Sequence, residues 1–167
     1  MIKPVQFLLL LVICSVAWMA CEQERDPCLQ PRTVSMRMVF NKAVETDTGI
    51  AVSDSALPNA MIGVLDSPFA LAYAAKNLKE LSFTLSPLAD STSIFIRPDS
   101  ARTTRFDLDT VTFFYQRRLA FISTACGYTY HYFLTGLRNT AYNIDSVAVL
   151  SNDVTNNVNV QHVKVYY

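Results

Sequence analysis

The stretch Asp109–Gln116 alternates so regularly that it leaves little choice of conformation. Val111, Phe113 and Tyr115 recur at every second position, with Thr110, Thr112, Phe114 and Gln116 between them. Successive side chains of a strand point to opposite faces, so one face is wholly apolar and the other mixed. Leu119–Cys126 repeats the pattern, with Leu119 and Phe121 set against Ala120 and Ile122. Gln116, Arg117 and Arg118 form a charged interruption suited to a solvated turn, and the two runs are expected to pair as an antiparallel β-hairpin. Gly127 then lets the chain bend or bulge before a third alternating run, Tyr128–Phe133.

Other alternating runs extend the same reading. Val34, Met36, Met38 and Phe40 share one face of a first strand over 32–41, and short strands are expected at 61–65, 81–85, 93–97 and 146–150. Residues 42–59, rich in Thr, Asp and Ser, read mostly as loop. In the last strand, 158–167, a bulge near Gln161 and His162 would bring Val158, Val160, Val163, Val165 and Tyr167 to one side. Residues 67–80 read two ways. Ser67 and Pro68 could open a helix with Leu71, Ala74, Ala75 and Leu78 on one face, while Phe69, Leu71 and Tyr73 alternate as in a strand. About eight or nine strands with at most one short helix predict an all-β fold. An antiparallel β-sandwich, immunoglobulin-like, is the leading form, with a jelly roll or barrel as the alternative.

At the front of the chain, Lys3 precedes an apolar run from Phe7 to Ala20. A bilayer span needs about 20 residues, so residues 1–20 read as a signal peptide and not as a transmembrane anchor. The run closes on Trp18-Met19-Ala20-Cys21, which resembles a bacterial lipobox. Ala20 and Cys21 fit that pattern; Trp18 stands where leucine is usual. Lipidation at Cys21 is the expectation, with plain secretion as the alternative. Residues 21–31 then read as a tether and 32–167 as a single domain. Glu22, Glu24 and Asp26 are acidic residues close behind the cysteine. In lipoproteins of the Bacteroidota such residues resemble a signal for export to the outer face of the outer membrane; a merely solvated tether is the plain reading. The expected location is lipid-anchored at the outer membrane, on its periplasmic or cell-surface side, where disulfides are permitted.

Charge and composition narrow the chemistry. Fourteen basic residues against 14 acidic ones leave no net charge, which argues against nucleic acid as a partner. The four glycines are never clustered, so a phosphate-cradling loop is absent. No nucleophile elbow is present, and no catalytic residue is assigned. His131 and His162 are the only histidines and have no carboxylate at ligand spacing, so neither a metal nor another cofactor is expected. Asp107 and Asp109, beside Arg102 and Arg105, read as a solvated ion-pair cluster at a strand entrance. Tyr128, Tyr130 and Tyr132 would share one strand face as a platform about 13 Å long. Such rings suit a protein or glycan partner, although packing of that face in the core, with the hydroxyls reaching the rim, is the preferred reading. Ser55, Ser91 and Ser100 each follow an aspartate in a predicted loop and resemble short O-glycosylation sites of exported Bacteroidota proteins.

A broader resemblance rests on the lipobox, Asp26-Pro27-Cys28, the strand from Asp109 to Tyr115, Ser123-Thr124-Ala125-Cys126-Gly127 and the terminal Val163-Lys164-Val165-Tyr166. Together they are similar to a family of Bacteroidota lipoproteins with no assigned activity. The resemblance implies an envelope location and a cysteine pair. With Cys14 in the signal peptide and Cys21 carrying lipid, Cys28 and Cys126 are the two thiols left to form it. A buried free Cys126 and an exposed Cys28 is the rival arrangement. The function expected is that of a non-enzymatic envelope lipoprotein, a binding or accessory module. A structural subunit of an outer-membrane complex is the alternative, and a hydrolase comes third.

Overall fold

In a computed structural model, the chain is described at residues 27–47, 49–65, 72–101, 104 and 107–167. Residues 1–20, read from the sequence as a signal peptide, Cys21, residues 67–71 and the arginines at 102 and 105 lie outside the described residues. The strands are β1 (Met36–Thr46), β2 (Gly49–Asp54), β3 (Leu57–Val64), β4 (Ala72–Leu78), β5 (Glu80–Phe83), β6 (Ser91–Arg97), β7 (Asp109–Ser123), β8 (Gly127–Asn139), β9 (Ser146–Val149), β10 (Asp153–Val154) and β11 (Val163–Tyr166). They form two sheets. One runs β2-β1-β11-β9, with β5 pairing the first half of β1; the other runs β10-β8-β7-β6-β3-β4. The strand ladders are antiparallel except that between β1 and β11, where Met38 stands beside Val163 in a parallel ladder, and an isolated parallel bridge joins Asn59 to Asp99.

The alternation of the sequence becomes the core. Met36, Met38 and Phe40 from β1 and Val163 and Val165 from β11 are buried. They face Ile94 and Ile96 from β6 and Val111, Phe113 and Tyr115 from β7. Phe83 meets Phe113 across the two sheets with ring centroids 5.9 Å apart. In β8 the register shifts between Phe114 and Tyr115, leaving Thr135 without a direct partner. That bulge lets Tyr132, Leu134 and Leu137 all lie against the core, which strict alternation would forbid.

Several local expectations are overturned. The predicted turn at Gln116–Arg118 is continuous strand, and β7 runs unbroken to Ser123. The turn lies instead at residues 124–126, where Ser123 Oγ accepts from the Cys126 N–H at 3.0 Å and Gly127 supplies a φ of 75°. Positive φ is costly for any residue with a Cβ, and neither arginine offers it. The helix considered for 67–80 is absent over 72–78, where β4 pairs β3 from Leu57↔Leu78 to Gly63↔Ala72. Pairing of the otherwise open β3 edge overrides the helical preference of its alanines. Asn77, one residue before the end of that strand, has a φ of 55°, a conformation asparagine tolerates. Residues 42–59 are not mostly loop, because β1 continues to Thr46 and returns as β2. Val158 is exposed in a turn and takes no part in the final strand.

Asp109 is likewise no part of a solvated cluster. Its carboxylate is fully buried at the start of β7. It accepts from Thr140 Oγ1 at 2.7 Å and from the backbone N–H groups of Tyr142, Asn143 and Ile144 at 2.8, 2.7 and 3.1 Å. These residues carry the chain from β8 in one sheet to β9 in the other. A buried carboxylate is tolerable only when hydrogen-bonded to this extent, and here it fixes the crossing and seats Ile144 in the core. Asp109→Ala strands several donors at once and is expected to cost about 3 kcal/mol or more. Asp109→Asn, which keeps one carbonyl oxygen, is expected to lose less; urea midpoints of the two variants check the order.

His162 clamps β11 to β1. Its backbone N–H donates to the Arg37 carbonyl at 2.9 Å, and its Nδ1 accepts from the Arg37 N–H at 3.0 Å. Burial, and secondarily the positive charge of Arg37, pushes the imidazole pKa below its ordinary 6.5. The unfolded chain therefore binds a proton at a pH where the folded one does not. Stability from this group is complete above pH 6.5 and is lost as pH falls through the lower folded pKa. Urea midpoints should fall with acidification from about pH 6.5 in the wild type and fall less steeply in His162→Gln.

Candidate functional site

β7 and β8 outrun their neighbours. The last β6 partner of β7 is Ser91 opposite Phe114, and β10 reaches only Tyr132 and Phe133 of β8. Beyond those points the two strands continue as a ribbon, with Arg117 opposite Tyr132, Leu119 opposite Tyr130 and Phe121 opposite Tyr128. A two-stranded hairpin is marginal by itself in water, so the ribbon needs support at its root and its tip.

The root is held by two tyrosines and an arginine. Tyr115 and Tyr132 meet edge to face at 5.2 Å. The Tyr115 hydroxyl lies 2.7 Å from Thr92 Oγ1 and within 3.1 Å of the Ser86 and Ser91 carbonyls, and the Tyr132 hydroxyl donates to Leu85 O at 3.2 Å. Burial raises both phenol pKa values, so they act as fixed donors and not as acids. Arg117 closes the seal, donating to Pro87 O at 2.8 Å and pairing with Asp90 at 2.9 Å. The connection between β5 and β6 thereby plugs the end of the core, and everything beyond it overhangs.

On the overhang, the face that buried Val111, Phe113 and Tyr115 now meets solvent. Leu119 is 64% exposed, Phe121 57%, Tyr128 62% and Tyr130 42%. Phe121 and Tyr128 touch across the strands with centroids 5.2 Å apart. From Leu119 to Tyr130 there is no Asp, Glu, Lys or Arg. The three-tyrosine platform is thus corrected: Tyr128 and Tyr130 belong to it, whereas Tyr132 is 6% exposed and belongs to the core. Leu119 and Phe121, missing from the predicted site, complete the patch. Their parity with Phe113 carried the signal, and a turn misplaced at Arg117 hid it.

The opposite face of the ribbon carries the N-terminal segment. Thr129 Oγ1 donates to Arg32 O at 2.8 Å, and Cys28 is bonded to Cys126 with Cα atoms 4.8 Å apart. That separation lies in the ordinary disulfide range of about 4.4–6.8 Å. Arg118 lies 4.7 Å over the Phe133 ring and 3.9 Å from Asp153.

Other candidate residues are scattered. Ser55 lies between β2 and β3 and Ser100 in the turn after β6, both half-buried. Ser91 opens β6 and pairs with Phe114, so it is not in the loop expected for it. His162 packs against β1, while His131 sits in the ribbon opposite Arg118. Among the described residues no three His, Cys, Asp or Glu side chains gather as metal ligands would. Among the described residues, shallow clefts of 320 Å³ beside Asn41, Asp54 and Lys164 and of 260 Å³ beside Pro58, Asp99 and Asp107 are present. Asp54 accepts from Asn41 Nδ2 and Asp107 from Thr104, so these carboxylates have structural tasks.

The disulfide joins residues 98 apart. Closing so long a loop is expected to contribute about 2–4 kcal/mol, mostly by restricting the unfolded chain. Cys28→Ser should lower the denaturant midpoint accordingly and open the ribbon to proteolysis near residues 119–130, with the β signature of the two sheets retained. Non-reducing peptide mapping should recover Cys28 and Cys126 in one linked fragment.

No curated protein and no solved structure matches the chain. Residues 61–167, from the second half of β3 to the terminus, match the model of DUF6452, described as a family of unknown function. That span contains β7, β8 and the whole overhanging ribbon, and the chain belongs to this family.

Proposed function

We propose that the protein is a non-enzymatic lipoprotein of the cell envelope, anchored at the outer membrane through Cys21, which works as an accessory module by contact at its ribbon tip. The observation that carries this reading is the uncharged patch of Leu119, Phe121, Tyr128 and Tyr130. Monomeric soluble proteins leave few contiguous aromatic surfaces uncovered without a use for them. The tip offers rings and phenol hydroxyls and brings together no acid–base pair or activated nucleophile, so its chemistry is that of contact. The Ala20-Cys21 junction after a short apolar run supports the anchor, and a Cys28–Cys126 bond suits a compartment outside the cytoplasm.

A structural subunit of a larger complex is the second reading, and β2 favours it. This edge strand is exposed along its whole length, with Ile50 and Val52 among its side chains. An uncovered edge is a template for another strand.

Cys21→Ser should move the protein from the membrane fraction to the soluble one, and the intact mass of the wild type should exceed the polypeptide from residue 21 by its acyl chains. Unchanged partitioning with an unacylated N-terminus would overturn the anchor. Mass beyond the acyl chains that maps to Ser55 or Ser100 would report the O-glycans proposed for those turns.

A further inference from the structure

The disulfide ties the patch to the proposed anchor. Cys28 is seven residues after Cys21, and an extended chain spans at most about 3.6 Å per residue. Cys28 therefore stays within about 25 Å of the acylated residue, and Cys126, whose Cα lies 4.8 Å from that of Cys28, within about 30 Å, and with it the turn of the ribbon. No other part of the domain is held so close by covalent structure. Leu29, beside the bridge, is 89% exposed and adds a further apolar group there.

The composition of the hairpin suits one kind of surface. Residues 119–130 carry no charge, while Arg117 and Arg118 stand at the root; no acidic residue occurs between Asp109 and Asp145. Arg118 remains more than half exposed. Exposed rings and Leu119 near the turn, with cations set further back toward the root, form the layering of a membrane interface. There, aromatic rings sit at headgroup depth and arginines reach phosphates. A protein partner would not require the patch to be tethered beside the lipid.

We infer that the ribbon tip lies in the headgroup layer of the bilayer to which the chain is anchored, with the Phe121–Tyr128 pair, nearest the turn, deepest and the Leu119–Tyr130 pair behind it. This rests on the anchored reading above and names the partner of the same patch. The tip gives the domain a second point of attachment. One acyl-bearing residue on a tether leaves a domain free to rotate, whereas two points fix which face of the sandwich meets the envelope space.

The only tryptophan of the sequence is Trp18, before the proposed cleavage point, so Phe121→Trp in the processed lipoprotein gives a single reporter. The acylated protein is reconstituted in phosphatidylethanolamine–phosphatidylglycerol vesicles, with and without phospholipid brominated on its acyl chains. The expected result is indole emission from the Phe121→Trp protein quenched by bromine twofold or more. Ile50→Trp should stay unquenched, since β2 pairs with the half of β1 running away from Cys28. Tyr128→Trp serves as a second reporter if Phe121→Trp disturbs the ribbon. Absence of quenching in protein that still floats with the vesicles overturns the inference and leaves the anchor standing. A blue shift that depends on protein density and ignores bromine also overturns it, because a second copy then covers the patch. Failure of the acylated protein to float removes the anchored reading and the inference with it.

Discussion

Val111 stands opposite Asn139 at one end of the β7–β8 pair and Phe121 opposite Tyr128 at the other, and this register governs both the core and the exposed patch. A slip of one residue would turn Val111, Phe113 and Tyr115 out of the core and move the tip patch to the face that carries the N-terminal segment. The bulge at Thr135 is part of the same constraint, because it corrects the phase of β8 so that Leu134 and Leu137 both pack inward. Packing of β1 and β11 over this pair then completes the two-sheet sandwich.

The two ends of the long hairpin are secured by different physics. At the start of β7, the buried carboxylate of Asp109 gathers backbone donors from the crossing between sheets, an arrangement whose strength comes from low local dielectric and complete hydrogen bonding. At the far end little burial is available beyond that of Cys126, because the opposite sheet and the β5–β6 connection stop short. A covalent bond to Cys28 and one hydrogen bond from Thr129 replace it. An exposed ribbon held this way can keep apolar side chains in solvent without collapsing onto the sheet.

That division bears on function. The core end resembles the interior of any β-sandwich and has little chemistry to offer. The overhang keeps the parity of the core but lacks the sheet that would cover it, so its uncovered apolar face follows directly from strand length. In the proposed reading the bilayer supplies the missing cover, and the bridge that stabilises the ribbon also brings it to the anchor. β2, exposed and at the other end of β1, is left for a different contact.

Period-two alternation determined the all-β class and the core faces of β1 and of the first half of β7; that Leu119 and Phe121 continue the side of Phe113 emerged only once β7 was seen to run unbroken. Elimination among four cysteines left Cys28 and Cys126 as partners, and the structure joins them. Alternation is local, however, and says nothing about where a strand ends or what lies opposite it. Arg117 and Arg118 read as a turn because charge favours solvent; in the fold they remain in strand because Asp90, Pro87 and the Phe133 ring receive them. Tyr128, Tyr130 and Tyr132 are equivalent by parity, yet the loop around Leu85 buries one and leaves two in water. Asp109 read as a solvated ion pair because its partners are backbone groups more than 30 residues away, invisible to side-chain pattern. Which residues alternate was decided by local sequence; which of them are covered was decided by the finite reach of the second sheet.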